Sequence, residues 1–242
     1  MLAFHGDEGI KAKYLNRVLA HAAADEIIHG KYWERGKGCA VGCTIHSGEH
    51  GNYETELGIP RMLARLEDRL FEGMANGNSK HFPAKFLEAA QVGADLSRVP
   101  WQFLYWLLTE ELASRDDPRV AKEIKACADV LIPLTKGEPV DRNAAGLARR
   151  AALETRSKIV WPAAAAAAYA AAAADAAAAY AAYAADAAAD AADAAADAAA
   201  AAADARSRSR QDCYVRMAEK LLELMAAAPL GVIQPYFARQ VA

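Results

Sequence analysis

Between Ala163 and Ala205 the chain is 34 alanines broken only by Tyr169, Tyr180 and Tyr183 and by Asp175, Asp186, Asp190, Asp193, Asp197 and Asp204. Alanine loses no side-chain entropy on entering a helix, and neither Gly nor Pro occurs from Ala163 to Ala228, so this composition predicts helix throughout. At 100° per residue the six aspartates fall within an arc of about 60° with the tyrosines beside them, leaving a smooth back of methyl groups. Spacings of eleven keep that stripe nearly parallel to the axis. Unbroken, the 43 residues would run roughly 65 Å at about 1.5 Å per residue. A compact chain of this length has a radius of gyration near about 18 Å. The expectation is therefore one long helix laid along the body of the protein, a spine whose thin methyl contacts must be compensated by close packing.

Alanine inflates the 54% hydrophobic content, and the larger core formers are concentrated in residues 10–160. The fold class expected is mainly α: a multi-helix, bundle-like domain with a long alanine-rich helix near the C-terminus. The expected division is a helical core over 1–160 with a Cys/His/Gly-rich loop at 36–58, the alanine-rich and C-terminal helices packed on it over 161–228, and a tail over 229–242. Setting the six tract aspartates aside turns the net charge of −3 into about +3 for the remainder. That near-balance carries no nucleic-acid footprint, and Arg206, Arg208 and Arg210 read as charge complementation of the preceding aspartates. Regularly placed aspartates make the tract a poor membrane span, and charges near the N-terminus do not suit a signal peptide. Four cysteines without a secretion signal point to reduced thiols and a cytoplasmic location.

Helical periodicity is read over Ile10–His29, with Gly30 as its stop, and over Pro60–Gly73. Further helices are expected around Pro83–Ala90, from Pro100 through the aromatic run to Leu108, from Asp116-Asp117-Pro118 to Leu131, and over Asn143–Lys158. Tyr214, Met217, Leu221, Leu224 and Met225 form a last apolar stripe. Trp101 and Trp106, about 140° apart on a helix, are both expected to be more than half buried.

The sharpest chemical constellation is Cys39, Cys43, His46 and His50, spaced four, three and four. Thiolate and imidazole are zinc's preferred ligands. On a continuous helix Cys39 and His50 would lie about 16 Å apart, so one ion could use all four only if Gly42, Gly48 and Gly51 turn the segment. A second reading makes Cys39 a nucleophile, its pKa lowered by Lys37 and its proton taken by His46 or His50. A third leaves Cys39 and Cys43 as small buried hydrophobes. On the first helix His21, Asp25 and His29 recur every four residues, and Glu26-x-x-His29 is a single copy of a motif that di-iron bundles need twice.

The segment Gly36–Met74, GKGCAVGCTIHSGEHGNYETELGIPRMLARLEDRLFEGM, resembles a group of uncharacterised bacterial and phage-associated proteins that join such a segment to an alanine-rich helix. That resemblance covers most of the chain and implies no activity. The tract alone is similar in composition to immunity proteins of toxin systems, which implies an α-helical protein that binds a partner protein. It is also similar in its eleven-residue spacing to type I antifreeze proteins, but the threonine row that carries ice binding there is missing here. Two functions follow as expectations: a metal-binding or thiol-based site at Cys39–His50, with zinc as the cofactor, or a non-catalytic protein that binds another protein in an immunity or phage–host conflict.

Overall fold

In the computed structural model of the protein, residues 1–111, 118–158, 170–174, 177 and 210–231 are described. They form a mainly α, multi-helix domain. A one-turn 3-10 helix (Ala3–Gly6) leads into α1 (Glu8–Ala23), whose N-terminus is capped by the Asp7 carboxylate accepting from the Gly9 amide at 2.7 Å. A short antiparallel ribbon follows, β1 (Trp33–Glu34) with β2 (Lys37–Gly38), pairing Trp33 with Gly38 and Glu34 with Lys37. The chain continues through α2 (Ala40–Ile45), α3 (Asn52–Leu57), α4 (Arg61–Gly73), the single turn α5 (Asn76–Ser79), α6 (Phe82–Ala89) and α7 (Val99–Trp106). A π-helical turn (Leu107–Glu111) extends α7, and α8 (Pro118–Lys136), α9 (Arg142–Ser157) and α10 (Arg210–Ala226) complete the described elements.

α1 stops at Ala23, six residues short of the expected His29, and the reason is local. The Glu26 amide donates to the His21 carbonyl at 3.0 Å and the Asp25 amide to the Ala22 carbonyl at 3.3 Å, with Asp25 itself at φ 55°. That is a Schellman stop built on an aspartate instead of a glycine. Glu26 and His29 consequently leave the helix, and His21, Asp25 and His29 do not share a face. The freed strand-like segment pairs Ile27 with Gly38, tying the ribbon to the end of α1.

α4 buries Met62, Leu63, Leu66, Leu70 and Phe71, the stripe its sequence promised. α10 packs across α4, α6 and α7, seating Tyr214 so tightly on Gly73 that a Cβ there would lie 2.2 Å from the tyrosine ring. α1 lies on α2 and α6, and Lys11 Nζ fastens it by donating to the Ala90 carbonyl at 2.7 Å. α7 and α9 both pack on α8, whose Val120, Ile124, Cys127 and Leu131 are all buried at helical spacing. Beyond α10 the chain pairs with the turn before α7, the Asp95 amide donating to the Pro229 carbonyl at 2.8 Å.

Trp101 is 2% exposed and Trp106 is partly buried against the same core, in accord with the aromatic-helix reading. Trp101→Ala should cost about 3 kcal/mol in chemical denaturation by leaving an unfilled cavity. A loss below about 1 kcal/mol would contradict its central placement. In the alanine tract the described residues 170–174 and 177 are helical, and Ala170, Ala171, Ala173, Ala174 and Ala177 are buried. The expectation of one continuous spine from Ala163 to Ala205 otherwise lies outside the described residues, as does most of the tail over 229–242. No helix among the described residues is long and apolar enough to cross a membrane.

Candidate functional site

The segment expected to be a glycine-rich loop contains two short helices, and Gly42 lies inside one of them. Its role is close approach. A Cβ on Gly42 would sit 1.4 Å from the Tyr32 carbonyl oxygen and one on Gly38 2.0 Å from the same atom. Both glycines let the Lys31–Tyr32 backbone press against α2, where the Cys39 amide donates to the Lys31 carbonyl at 2.7 Å. Cys39 is thereby fixed at the residue before α2 with extended backbone, and its side chain is 1% exposed.

The four residues singled out by spacing diverge. Among the described residues no three of Cys39, Cys43, His46 and His50 bring ligand atoms within 4.8 Å of one another. Cys43 points back into the protein, its Sγ donating to the Gly38 carbonyl at 3.3 Å, and burial pushes its thiol up to about 12. His46 ends α2 in the left-handed conformation (φ 54°) and stacks on Trp33 at 4.2 Å between centroids. Of the four, Cys39 and His50 both approach the Asp68 carboxylate on α4, from different sides.

Cys39 and Asp68 line a pocket of about 190 Å³ together with Gly30, Lys31, Tyr32 and Glu72, and His50 lies outside its lining. Asp68 and Glu72 stand one turn apart on α4, so their carboxylates share a face. One oxygen of each lies within 4.8 Å of the other and of Cys39 Sγ. The Gly30 amide donates to both Glu72 oxygens, at 2.9 and 3.0 Å, holding that carboxylate in place. His50 is 6% exposed, with its Nε2 buried 3.5 Å from Asp68 Oδ2 and its ring at the edge of Tyr32. Neither His50 Nε2 nor Asp68 Oδ1 has a hydrogen-bond partner among the described residues. Two unsatisfied polar atoms beside one pocket are expensive in a folded interior unless something else engages them.

The electrostatics bear on the nucleophile reading. Burial first, and the Asp68 carboxylate second, push the Cys39 thiol far above its ordinary value, and the backbone amides of Gly42 and Val41 only partly oppose them. Lys37, expected to lower it, extends from the exposed ribbon and acts instead on Asp25. The thiol-lowering environment read from the sequence is thus reversed. Burial and Asp68 also raise the Tyr32 phenol, and burial raises the Glu72 carboxyl.

Asp68 and Glu72 went unnoticed in the sequence because they sit in a helix read only for its apolar stripe. Their i,i+4 spacing was the available signal. The chain matches no protein-family model, no curated protein and no solved structure.

Proposed function

We propose that the protein binds a zinc-class divalent ion in this pocket through Cys39 Sγ, Asp68 and Glu72, with His50 orienting Asp68 from behind. The observation that carries the reading is the convergence of one thiol and two carboxylates, one of them backed by a buried imidazole nitrogen with no hydrogen-bond partner among the described residues. Sulfur and oxygen donors together suit zinc better than magnesium or calcium, and ligating carboxylates are themselves commonly held by an outer-shell polar group. A thiol held protonated by burial becomes a ligand only when the metal displaces its proton, so uptake releases that proton and weakens at acidic pH. With three protein ligands such an ion would keep one position for water or substrate. That open geometry is the one metal-assisted hydrolysis uses.

Cobalt(II) in place of zinc tests the site, because a coordinated thiolate gives an intense charge-transfer absorption that carboxylates and imidazoles do not. The band should be present in the wild-type protein and in Cys43→Ala, and absent in Cys39→Ala. Asp68→Asn should weaken uptake at least tenfold, and His50→Gln by about ten- to a hundredfold. A band that survives Cys39→Ala, or none at all, would defeat the proposal and leave the partner-binding reading in first place.

A further inference from the structure

The rings of His21 and His46 meet outside the Cys39 pocket, against the ribbon residue Trp33. Their Nε2 atoms are 2.9 Å apart and aimed at each other. His21 Nδ1 lies 2.6 Å from Glu26 Oε2, and Trp33 touches both rings, stacked on His46 at 4.2 Å and edge-on to His21 at 5.3 Å. The carboxylate fixes where the protons sit. Glu26 accepts from His21 Nδ1, so the His21 lone pair is on Nε2 and the bond between the rings is donated by His46 Nε2. His21 belongs to α1 and His46 ends α2, so this one hydrogen bond ties the two helices together at Trp33.

We infer that the pair is an acid-operated latch, which holds the Trp33 ribbon on α1 and α2 and lets go when it takes up its second proton. The first proton enters at His46 Nδ1, the ring nitrogen outside the pair, and leaves the bond between the rings in place. A second proton has only His21 Nε2 to occupy. Two N–H groups would then face each other across 2.9 Å, two donors without an acceptor and two positive charges in contact, so the bond cannot persist. The rings part at His46. His21 has a side chain only 13% exposed and stays on Glu26, whereas His46 is exposed at the end of α2. Its departure strips the stacked face from Trp33. Tyr32, the preceding residue, lines the Cys39 pocket, so the latch also bears on that wall whether or not the pocket takes an ion. The charged groups facing the pair are Glu26 beyond α1, Arg17 on α1, held by the Thr44 carbonyl at 2.9 Å, and Glu56 on α3, held by the Tyr14 hydroxyl. The two carboxylates favour proton uptake and Arg17 opposes it. Burial first, with Arg17 and His21 after it, holds the His46 imidazole below its ordinary value, which places the opening on the acid side of about 6.5.

Acid titration of the full-length protein tests this, following the imidazole resonances of both histidines and the emission of Trp33, identified as the component lost in Trp33→Phe. The first proton should titrate His46 without moving that emission. The second should shift it to the red, with the closed-to-open ratio changing about tenfold per pH unit and the helical circular dichroism unchanged. His21→Gln, whose amide oxygen accepts from His46 Nε2 whatever the charge on that ring, should lock the latch: His46 still titrates and the red shift is lost. His46→Asn should give the red-shifted emission at every pH, asparagine being chosen because it tolerates the left-handed backbone of residue 46. Glu26→Gln removes a charge that favours the second proton and should move the opening to lower pH. Cys39→Ala should leave it unchanged, which separates the latch from the metal site. A red shift that coincides with the first proton, survives in His21→Gln or accompanies loss of the helical signal would overturn the inference. So would its absence down to about pH 4, where carboxylates begin to titrate.

Discussion

Gly42→Ala should undo the packing that places Cys39, with a loss of at least about 4 kcal/mol in urea denaturation, among the larger effects of a single methyl group. The added carbon would lie 1.4 Å from the Tyr32 carbonyl oxygen and 2.4 Å from its carbonyl carbon. Both are backbone atoms, and they cannot swing aside as a lysine tip can. The Lys31–Tyr32 segment would have to lift off α2, breaking the hydrogen bonds from the Cys39 amide to the Lys31 and Tyr32 carbonyls and opening the pocket wall. Gly77→Ala is the matched control: nothing among the described residues lies within 4 Å of a Cβ there, so its stability should stay within about 0.5 kcal/mol of wild type. Equal stability of the two variants would mean that the ribbon is not seated on α2.

The second large effect is in pH dependence. Glu67 is fully buried, Tyr53 Oη donates to its Oε2 at 2.7 Å, and the neighbouring Asp68 carboxylate adds to the cost of ionising it. Burial, the largest cause, pushes the Glu67 carboxyl up to about 8 from an ordinary 4.5. The folded chain therefore keeps a proton that the unfolded chain has released, and stability falls as pH rises from about 4.5 toward 8. At about 1.4 kcal/mol per pH unit this amounts to roughly 4 kcal/mol between pH 5 and 8. Glu67→Gln, which cannot ionise, should abolish that component. The variant should match wild type near pH 5 and exceed it by about 4 kcal/mol at pH 8, read from paired denaturation curves. Parallel pH profiles would show that Glu67 ionises normally in the folded protein.

How far the sequence could be read depended on whether a feature was local. The helix from Arg61 to Gly73 declared itself through Pro60, its apolar stripe and its terminal glycine, and α8 through Val120, Ile124, Cys127 and Leu131. Where a local rule had an uncommon solution, the reading missed. Asp25 takes the left-handed stop usually given to glycine, so α1 was extended to His29. Gly42 was taken for a turn when it is a contact, because the Tyr32 carbonyl that needs the space is ten residues away.

The same distinction governs the two clusters of polar side chains around Cys39 and His21. Cys39 and His50 were visible as residue types, but their centre is supplied by Asp68 and Glu72 on a helix that only tertiary packing brings to them. His21 and His46 were seen in separate motifs, and Cys43 was grouped with Cys39 by spacing although its thiol turns toward the Gly38 carbonyl. Spacing singled out Cys39 among candidate residues that do not meet; the fold supplied Asp68 and Glu72.

Zinc X-ray absorption on protein loaded with one equivalent of metal tests the central claim most directly. One sulfur at about 2.3 Å, with the remaining ligands oxygen at about 2.0–2.2 Å, is the result expected of Cys39, Asp68 and Glu72. Two sulfurs would restore Cys43 to the site, and a shell of nitrogen and oxygen without sulfur would contradict the assignment outright.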